Sequence, residues 1–120
     1  MMTIGWGLLG TLWGKPVAMV YVRPSRYTYE FMEINNTFSI TAFSKSGREI
    51  NKMKIDGLTP KEVEKTVFFT EAELVLICKK TYFNDLVPDH IPEESKLTYY
   101  NSGDYHRVYY GEILNCYKND

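Results

Sequence analysis

Val17-Ala18-Met19-Val20-Tyr21-Val22-Arg23-Pro24-Ser25-Arg26-Tyr27-Thr28 joins an apolar, β-branched run to two arginines, a serine and a threonine. The part from Pro16 to Arg23 predicts a strand, with the proline at its first position, where no ladder donor is needed. Arg23, Ser25, Arg26 and Thr28 then gather at the strand's end. Guanidinium forks and hydroxyls are strong, well-directed donors to anionic oxygens, so this set suits a phosphate group. A second reading stands beside it: a solvated strand-to-helix turn in which Ser25 or Thr28 caps the next helix.

On the N-terminal side, Gly5-Trp6-Gly7-Leu8-Leu9-Gly10 matches the dinucleotide fingerprint G-x-G-x-x-G letter for letter, and Glu30 lies near the expected acidic position. That motif needs a full strand before it and a helix opening from it. Only four residues precede Gly5, and Gly14 and Pro16 stop any helix within a turn or two, so the dinucleotide reading is rejected. Met1 to Gly7 instead reads as a strand tail running into a glycine-rich loop around Trp6 and Trp13.

On the C-terminal side, Tyr27–Asn35 has helical spacing, Asn35-Asn36 makes a turn, and Thr37–Phe43 alternates as a strand. Lys45-Ser46-Gly47-Arg48 is a second basic, hydroxyl-bearing turn, followed by a short helical piece to Asp56 that Gly57 ends. Thr59-Pro60-Lys61-Glu62 has capping-box spacing. Val67–Phe69 and Leu74–Phe83 read as strands. In the longer one Leu74, Leu76 and Cys78 share one face and Val75 and Ile77 the other, so it belongs in the centre of a sheet. Asn84–Asn101 reads as a loop with a helical turn from Pro92, and His106–Lys118 as a last strand with Val108, Tyr110, Leu114 and Cys116 on one face. Strands outnumber helices, which predicts a mainly β fold: a closed Greek-key β-barrel with flanking helices.

The chain has 120 residues, 44% of them hydrophobic and 24% charged, the proportions of one globular domain over 1–120. A formal net charge of -1 offers no general attraction to nucleic acid or an anionic membrane. Any anion site must be a local cluster. The longest apolar run, Pro16 to Val22, is too short to span a bilayer, and no signal peptide shows, so the expected location is cytoplasmic. Cys78 and Cys116 belong to no paired spacing and are expected to be reduced thiols. The ten tyrosines favour strands, and they also suit flat-ligand sites.

No nucleophile elbow, metal-binding histidine pair or P-loop is present, and His90 and His106 are too isolated to form a zinc site. Asp104, two residues before His106, is expected to raise the imidazole pKa near a substrate; the alternative is a surface histidine at a strand start.

In their order, Met2-Thr3-Ile4-Gly5-Trp6-Gly7, Trp13-Gly14-Lys15-Pro16 and Val20-Tyr21-Val22-Arg23-Pro24-Ser25-Arg26-Tyr27-Thr28 resemble the flavin reductase-like domain family, on its flavoredoxin side. Lys45-Ser46-Gly47-Arg48, Gly57-Leu58-Thr59, Glu71-Ala72-Glu73-Leu74 and Gly103-Asp104-Tyr105-His106 with Gly111-Glu112-Ile113 continue the likeness over nearly the whole chain. The resemblance implies a split β-barrel that binds FMN, as a homodimer with flavin near the subunit interface. It implies that Arg23, Ser25, Arg26 and Thr28 hold the phosphate side, with Lys45 and Ser46 from a second loop. It places Met2, Thr3, Gly5 and Trp6 along the isoalloxazine ring, and His106 near the flavin or nicotinamide. Some members reduce free flavin with NAD(P)H; others hold FMN and pass electrons to a redox partner protein. Such chemistry is the cofactor's own, so no acid–base pair is required. The chain departs from the family pattern in lacking a strand and an asparagine before Met2-Thr3. It also lacks a helical segment where Phe43 meets Ser44, so residues are expected to be absent at that junction.

Overall fold

A computed structural model of the protein describes residues 2–42, 60–63, 66–69 and 74–118. The fold starts from a hairpin. β1 (Gly7–Leu12) pairs antiparallel with β2 (Lys15–Val22), and Trp13 and Gly14 make the reversal, both with positive φ, 53° and 73°. Two successive left-handed residues match the twist of a tight hairpin, and Gly14 adopts that conformation without a steric cost. The expected glycine-rich loop is therefore a strand from Gly7 onward. Gly7 fits there because a Cβ would stand 2.8 Å from the Met19 carbonyl oxygen. The same pairing confirms that no helix opens from the G-x-G-x-x-G letters.

From β2 the chain turns into α1 (Tyr27–Ile34), continues into β3 (Thr37–Ala42), and later supplies β6 (Leu74–Asp85) and β7 (Arg107–Lys118). The main sheet is antiparallel and five-stranded, in the order β1-β2-β7-β6-β3. β7 thus lies between β2 and β6, and β6 is an interior strand, as its two apolar faces require. Val75, Leu76, Ile77 and Cys78 are all buried. β4 (Pro60–Val63) and β5 (Thr66–Phe69) pair with each other as a separate two-stranded unit. The capping-box letters at Thr59–Glu62 thus introduce a strand: four residues cannot repay helix nucleation, whereas a close partner strand satisfies them. β5 runs beside β3 without joining its ladder. Among the described residues the sheet is accordingly not closed, because its edge strands β1 and β3 find no hydrogen-bonded neighbour beyond them.

Val75 and Ile77 are buried on one face of the sheet, and the two core clusters that reach α1 and β3 lie on the other. Val20, Val22 and Tyr109 pack against Met32 of α1, and Ala18, Leu76 and Cys78 pack with Phe38 and Ile40 of β3. Each fully buried valine, leucine or methionine among them contributes about 1.5–3 kcal/mol. Burial also pushes the Cys78 thiol up to about 12, so it is an inert core group, while Cys116 is an exposed free thiol. The face expected for the last strand is broken: Ile113 pairs with Cys78 and Asn115 with Ile77, leaving Leu114 as a bulge between them. An extra residue reverses the alternation, so Cys116 pairs with Leu76 and lies on the opposite face from Tyr110.

α1 is fixed to the sheet by charge as well as by Met32. Arg107 donates from Nε and a terminal nitrogen to both carboxylate oxygens of Asp85, at 2.7 and 3.1 Å, and from its other nitrogen to Glu33 at 2.7 Å. Tyr109 donates to the same Glu33 oxygen at 2.6 Å. Lys80 Nζ reaches the carbonyls of Met32 and Glu33 at 2.6 and 3.1 Å, placing a cation on the negative end of the helix.

After β6 a 3₁₀ turn, Pro88–His90, and α2 (Glu93–Tyr99) lead back to β7. The predicted loop thus holds two ordered turns, started by Pro88 and Pro92. The Lys45-Ser46-Gly47-Arg48 turn, the helical piece after it and the Phe43–Ser44 junction lie outside the described residues.

Candidate functional site

Alternate residues of β2 point to the face opposite the core clusters; toward the strand's end this is Tyr21, and Arg23 follows just beyond the strand. Here the β2–α1 turn meets the segment before β1 and the loop between α2 and β7. A cleft of about 160 Å³ results. Tyr21, Arg23 and Arg26 form one side of it and His106 another. Met2, Thr3, Gly5 and Trp6 complete the lining. Six of these were selected from sequence for a cofactor and His106 for a catalytic role; Tyr21 was not. The aromatic side is continuous: the Trp6 and His106 rings are 4.8 Å apart at 48°, and Tyr99 meets Trp6 edge-on at 5.0 Å. Trp13 lies elsewhere, edge-on to Tyr82 at 6.2 Å, and Tyr105 stacks on Tyr100 at 4.8 Å.

The turn's donors are divided between two tasks. Arg23 donates to the Asp104 carbonyl at 3.1 Å and the Tyr99 carbonyl at 2.9 Å, and its guanidinium lies 4.9 Å over the Tyr100 ring. Ser25 donates from its backbone N–H to one Asp104 carboxylate oxygen at 3.1 Å and from its hydroxyl to the other at 2.5 Å. Asp104 and Gly103 both have positive φ, 56° and 80°, in the loop that carries this carboxylate. Arg23 and Ser25 therefore latch the α2–β7 loop. Arg26 lines the cleft and has no carboxylate partner among the described residues. α1 begins after Arg26, which stands in the capping position without a side-chain cap, so neither Ser25 nor Thr28 caps the helix. Thr28 sits in the first turn of α1, and Ser25 and Thr28 stand outside the lining. Lys45 and Ser46 lie outside the described residues.

His106 is buried, not a surface group, and its Nδ1 lies 2.7 Å from the Tyr100 hydroxyl. Its pKa is held below the usual imidazole value, first by burial and then by the positive charges of Arg23 and Arg26; Asp104 opposes this and loses. Asp104 does act in the expected direction, but burial and the two arginines outweigh it, so the expected net rise fails. Burial moves the Tyr100 hydroxyl the other way, keeping it a phenol. Beside Tyr21, Tyr100 is a residue of the site that the sequence did not reveal: it follows a helix in a stretch read as loop, and nothing in its spacing ties it to His106. His90 stands apart in the 3₁₀ turn, and no group of three or more metal-binding side chains occurs among the described residues.

No family model and no curated protein matches the sequence. Solved structures do match it in fold. The flavoredoxin of Methanosarcina acetivorans is similar at a TM-score of 0.68 and 21% identity, covering 98% of this chain and 60% of that one. An FMN-binding protein from Thermus thermophilus is similar at 0.64 and 16% identity, over 96% of this chain and 61% of that one. The styrene monooxygenase flavin reductase of Pseudomonas putida S12 is similar at 0.71 and 13% identity, over 99% of this chain and 70% of that one. The chain thus spans about three fifths of the length of the first two. With the open antiparallel sheet and two flanking helices of its described residues, and with these likenesses, the chain has the flavin reductase-like fold.

Proposed function

We propose that the chain binds FMN in this cleft and works as a flavin-dependent oxidoreductase of the flavin reductase type, using NAD(P)H. The observation that carries the reading is the convergence of Met2, Thr3, Gly5, Trp6, Arg26 and His106 on one cleft. Their residue types suit a flat, anionic ligand: a guanidinium for a phosphate, and an aromatic side with a close-approaching backbone for a ring system. At about 160 Å³ the cleft is smaller than the roughly 300–1,000 Å³ that encloses a drug-sized ligand, so the described residues hold one edge of such a molecule.

In this reading Arg26 pairs with the phosphate. Arg23 and Ser25 act behind it by fixing the loop that carries His106, and Thr28, Lys45 and Ser46 extend the phosphate side. Met2, Thr3, Gly5 and Trp6 border the ring. When bound, the flavin supplies the redox chemistry, accepting hydride from a nicotinamide; the chain orients it and shields one edge from water.

The site also supports a homodimer. Val17 and Met19 line an apolar groove with Leu8, Leu12 and Tyr110, and Tyr21 and Arg23 continue the same face of β2 into the cleft. A second copy seated on the groove would reach the cleft's open side. Among the described residues no helix is long and apolar enough to cross a membrane. The free thiols of Cys78 and Cys116 suit the reducing cytoplasm.

A second reading, that of an FMN-holding electron carrier serving a redox partner protein without NAD(P)H turnover of its own, is favoured by the likeness to flavoredoxin. An absorbance spectrum of the purified protein followed by NADH or NADPH addition tests both. NAD(P)H oxidation that free FMN accelerates supports the reductase. A tightly held flavin band that NAD(P)H reduces only slowly supports the carrier. Protein that neither carries nor takes up FMN contradicts both.

A further inference from the structure

Tyr100 is the residue in contact with the cleft's histidine that neither the sequence nor the reading above employs. It is buried at the C-terminal end of α2, and its hydroxyl stands 2.7 Å from His106 Nδ1. Its ring is held by the Arg23 guanidinium at 4.9 Å and by Tyr105 stacked at 4.8 Å, so the hydroxyl has a fixed direction. We propose that Tyr100 is a positioning residue: its O–H donates to His106 Nδ1 and holds the ring as the Nε2–H tautomer, so that the cleft offers a fixed N–H donor to an acceptor atom of its ligand. The part concerning the ligand rests on the FMN reading; the tautomer does not.

Hydrogen-bond chemistry sets the direction. A bare imidazole nitrogen is a stronger acceptor than a phenol oxygen, and a phenol is the better donor. In the reverse arrangement Nδ1–H would donate to the phenol oxygen, and the phenolic proton would need a second acceptor. Among the described residues the Tyr100 hydroxyl has no other hydrogen bond, and a buried O–H without an acceptor costs about 1–3 kcal/mol. Burial favours the protonated phenol, and burial with the two nearby arginines favours the neutral imidazole, so the two groups meet in their uncharged forms. With Nδ1 occupied, Nε2 is the ring nitrogen left for the cleft that His106 lines.

The chain has two histidines, so His90→Gln leaves the imidazole nitrogen signals of His106 alone in a long-range proton–nitrogen NMR spectrum of the full-length protein. The expected pattern is a single Nε2–H tautomer with Nδ1 as an acceptor, which Tyr100→Phe moves toward the averaged pattern of a solvated imidazole. An Nδ1–H pattern, with Nε2 bare, overturns the proposal, as does a pattern that Tyr100→Phe leaves unchanged. If Tyr100→Phe does not fold, the pattern of the otherwise native chain decides alone. FMN titrations then test the coupling. Tyr100→Phe should weaken binding about three- to tenfold, the worth of one hydrogen bond, and should add nothing in a His106→Ala background. Equal weakening in both backgrounds shows that Tyr100 acts without His106 and overturns the proposal. If the native chain takes up no FMN, the flavin reading falls by itself and the tautomer pattern still decides.

Discussion

Two arginines three residues apart do different work. Arg23 makes two hydrogen bonds to loop carbonyls and covers the Tyr100 ring, so its loss leaves the Tyr99 and Asp104 carbonyls without their donor. Arg23→Ala should destabilise the ligand-free protein by about 1.5–3 kcal/mol, the worth of hydrogen bonds from a charged group. Arg26→Ala should leave the melting temperature nearly unchanged. Thermal melts of the two variants check the difference, and equal losses would refute the division of labour. Gly111 makes a second test. A Cβ there would stand 2.5 Å from the Phe38 ring and 2.8 Å from Cys78 Cβ, so Gly111→Ala should cost about 1–3 kcal/mol in denaturant unfolding. Residue identity alone made the donors at Arg23–Thr28 legible, but not their partners. Asp104 lies 79 residues beyond Ser25, and only the fold brings its carboxylate to that turn.

At the scale of elements, the ionic network between α1, β6 and β7 governs the response to acid. The hydrogen bond from Tyr109 and the Arg107 pairing hold the Glu33 carboxyl below the usual carboxylate range, and the Arg107 hydrogen bond does the same for Asp85. A group whose pKa is depressed in the folded state stabilises it above the unfolded pKa and loses that contribution as pH falls through the folded value. Stability should therefore fall below about pH 4, and Arg107→Met should flatten that fall while lowering stability at neutral pH. Both groups are partly exposed, so solvent screens the effect and its direction is the test. Chemical denaturation at several pH values measures it; an unchanged slope in the variant would count against the network. Strands β2, β3 and β6 and helix α1 could be read from apolar spacing, although in α1 only Met32 is buried and Tyr27, Phe31 and Ile34, whose spacing gives the helix away, are exposed. β1 could not, since its glycines and its place at the sheet edge hide the alternation, and the Leu114 bulge in β7 is set by pairing rather than by local sequence.

For the whole molecule, closure of the sheet was the expectation that did not hold among the described residues. Composition announces many strands, but whether edges meet depends on shear and on which strands share a ladder, and β4–β5 keeps its own. The open face beside the cleft leads to an association prediction. Sedimentation should report a dimer, and Met19→Glu should shift it to monomer without unfolding it, because a charge placed in a dry apolar interface lacks a partner. A native chain that sediments as a monomer while binding FMN would remove the second copy from the site. The cleft itself has the most direct test. Titrating the full-length protein into FMN while following flavin fluorescence should give saturable quenching, weakened tenfold or more by Arg26→Ala. The account is contradicted if the native protein gives no saturable change, or if Arg26→Ala binds FMN as the native protein does.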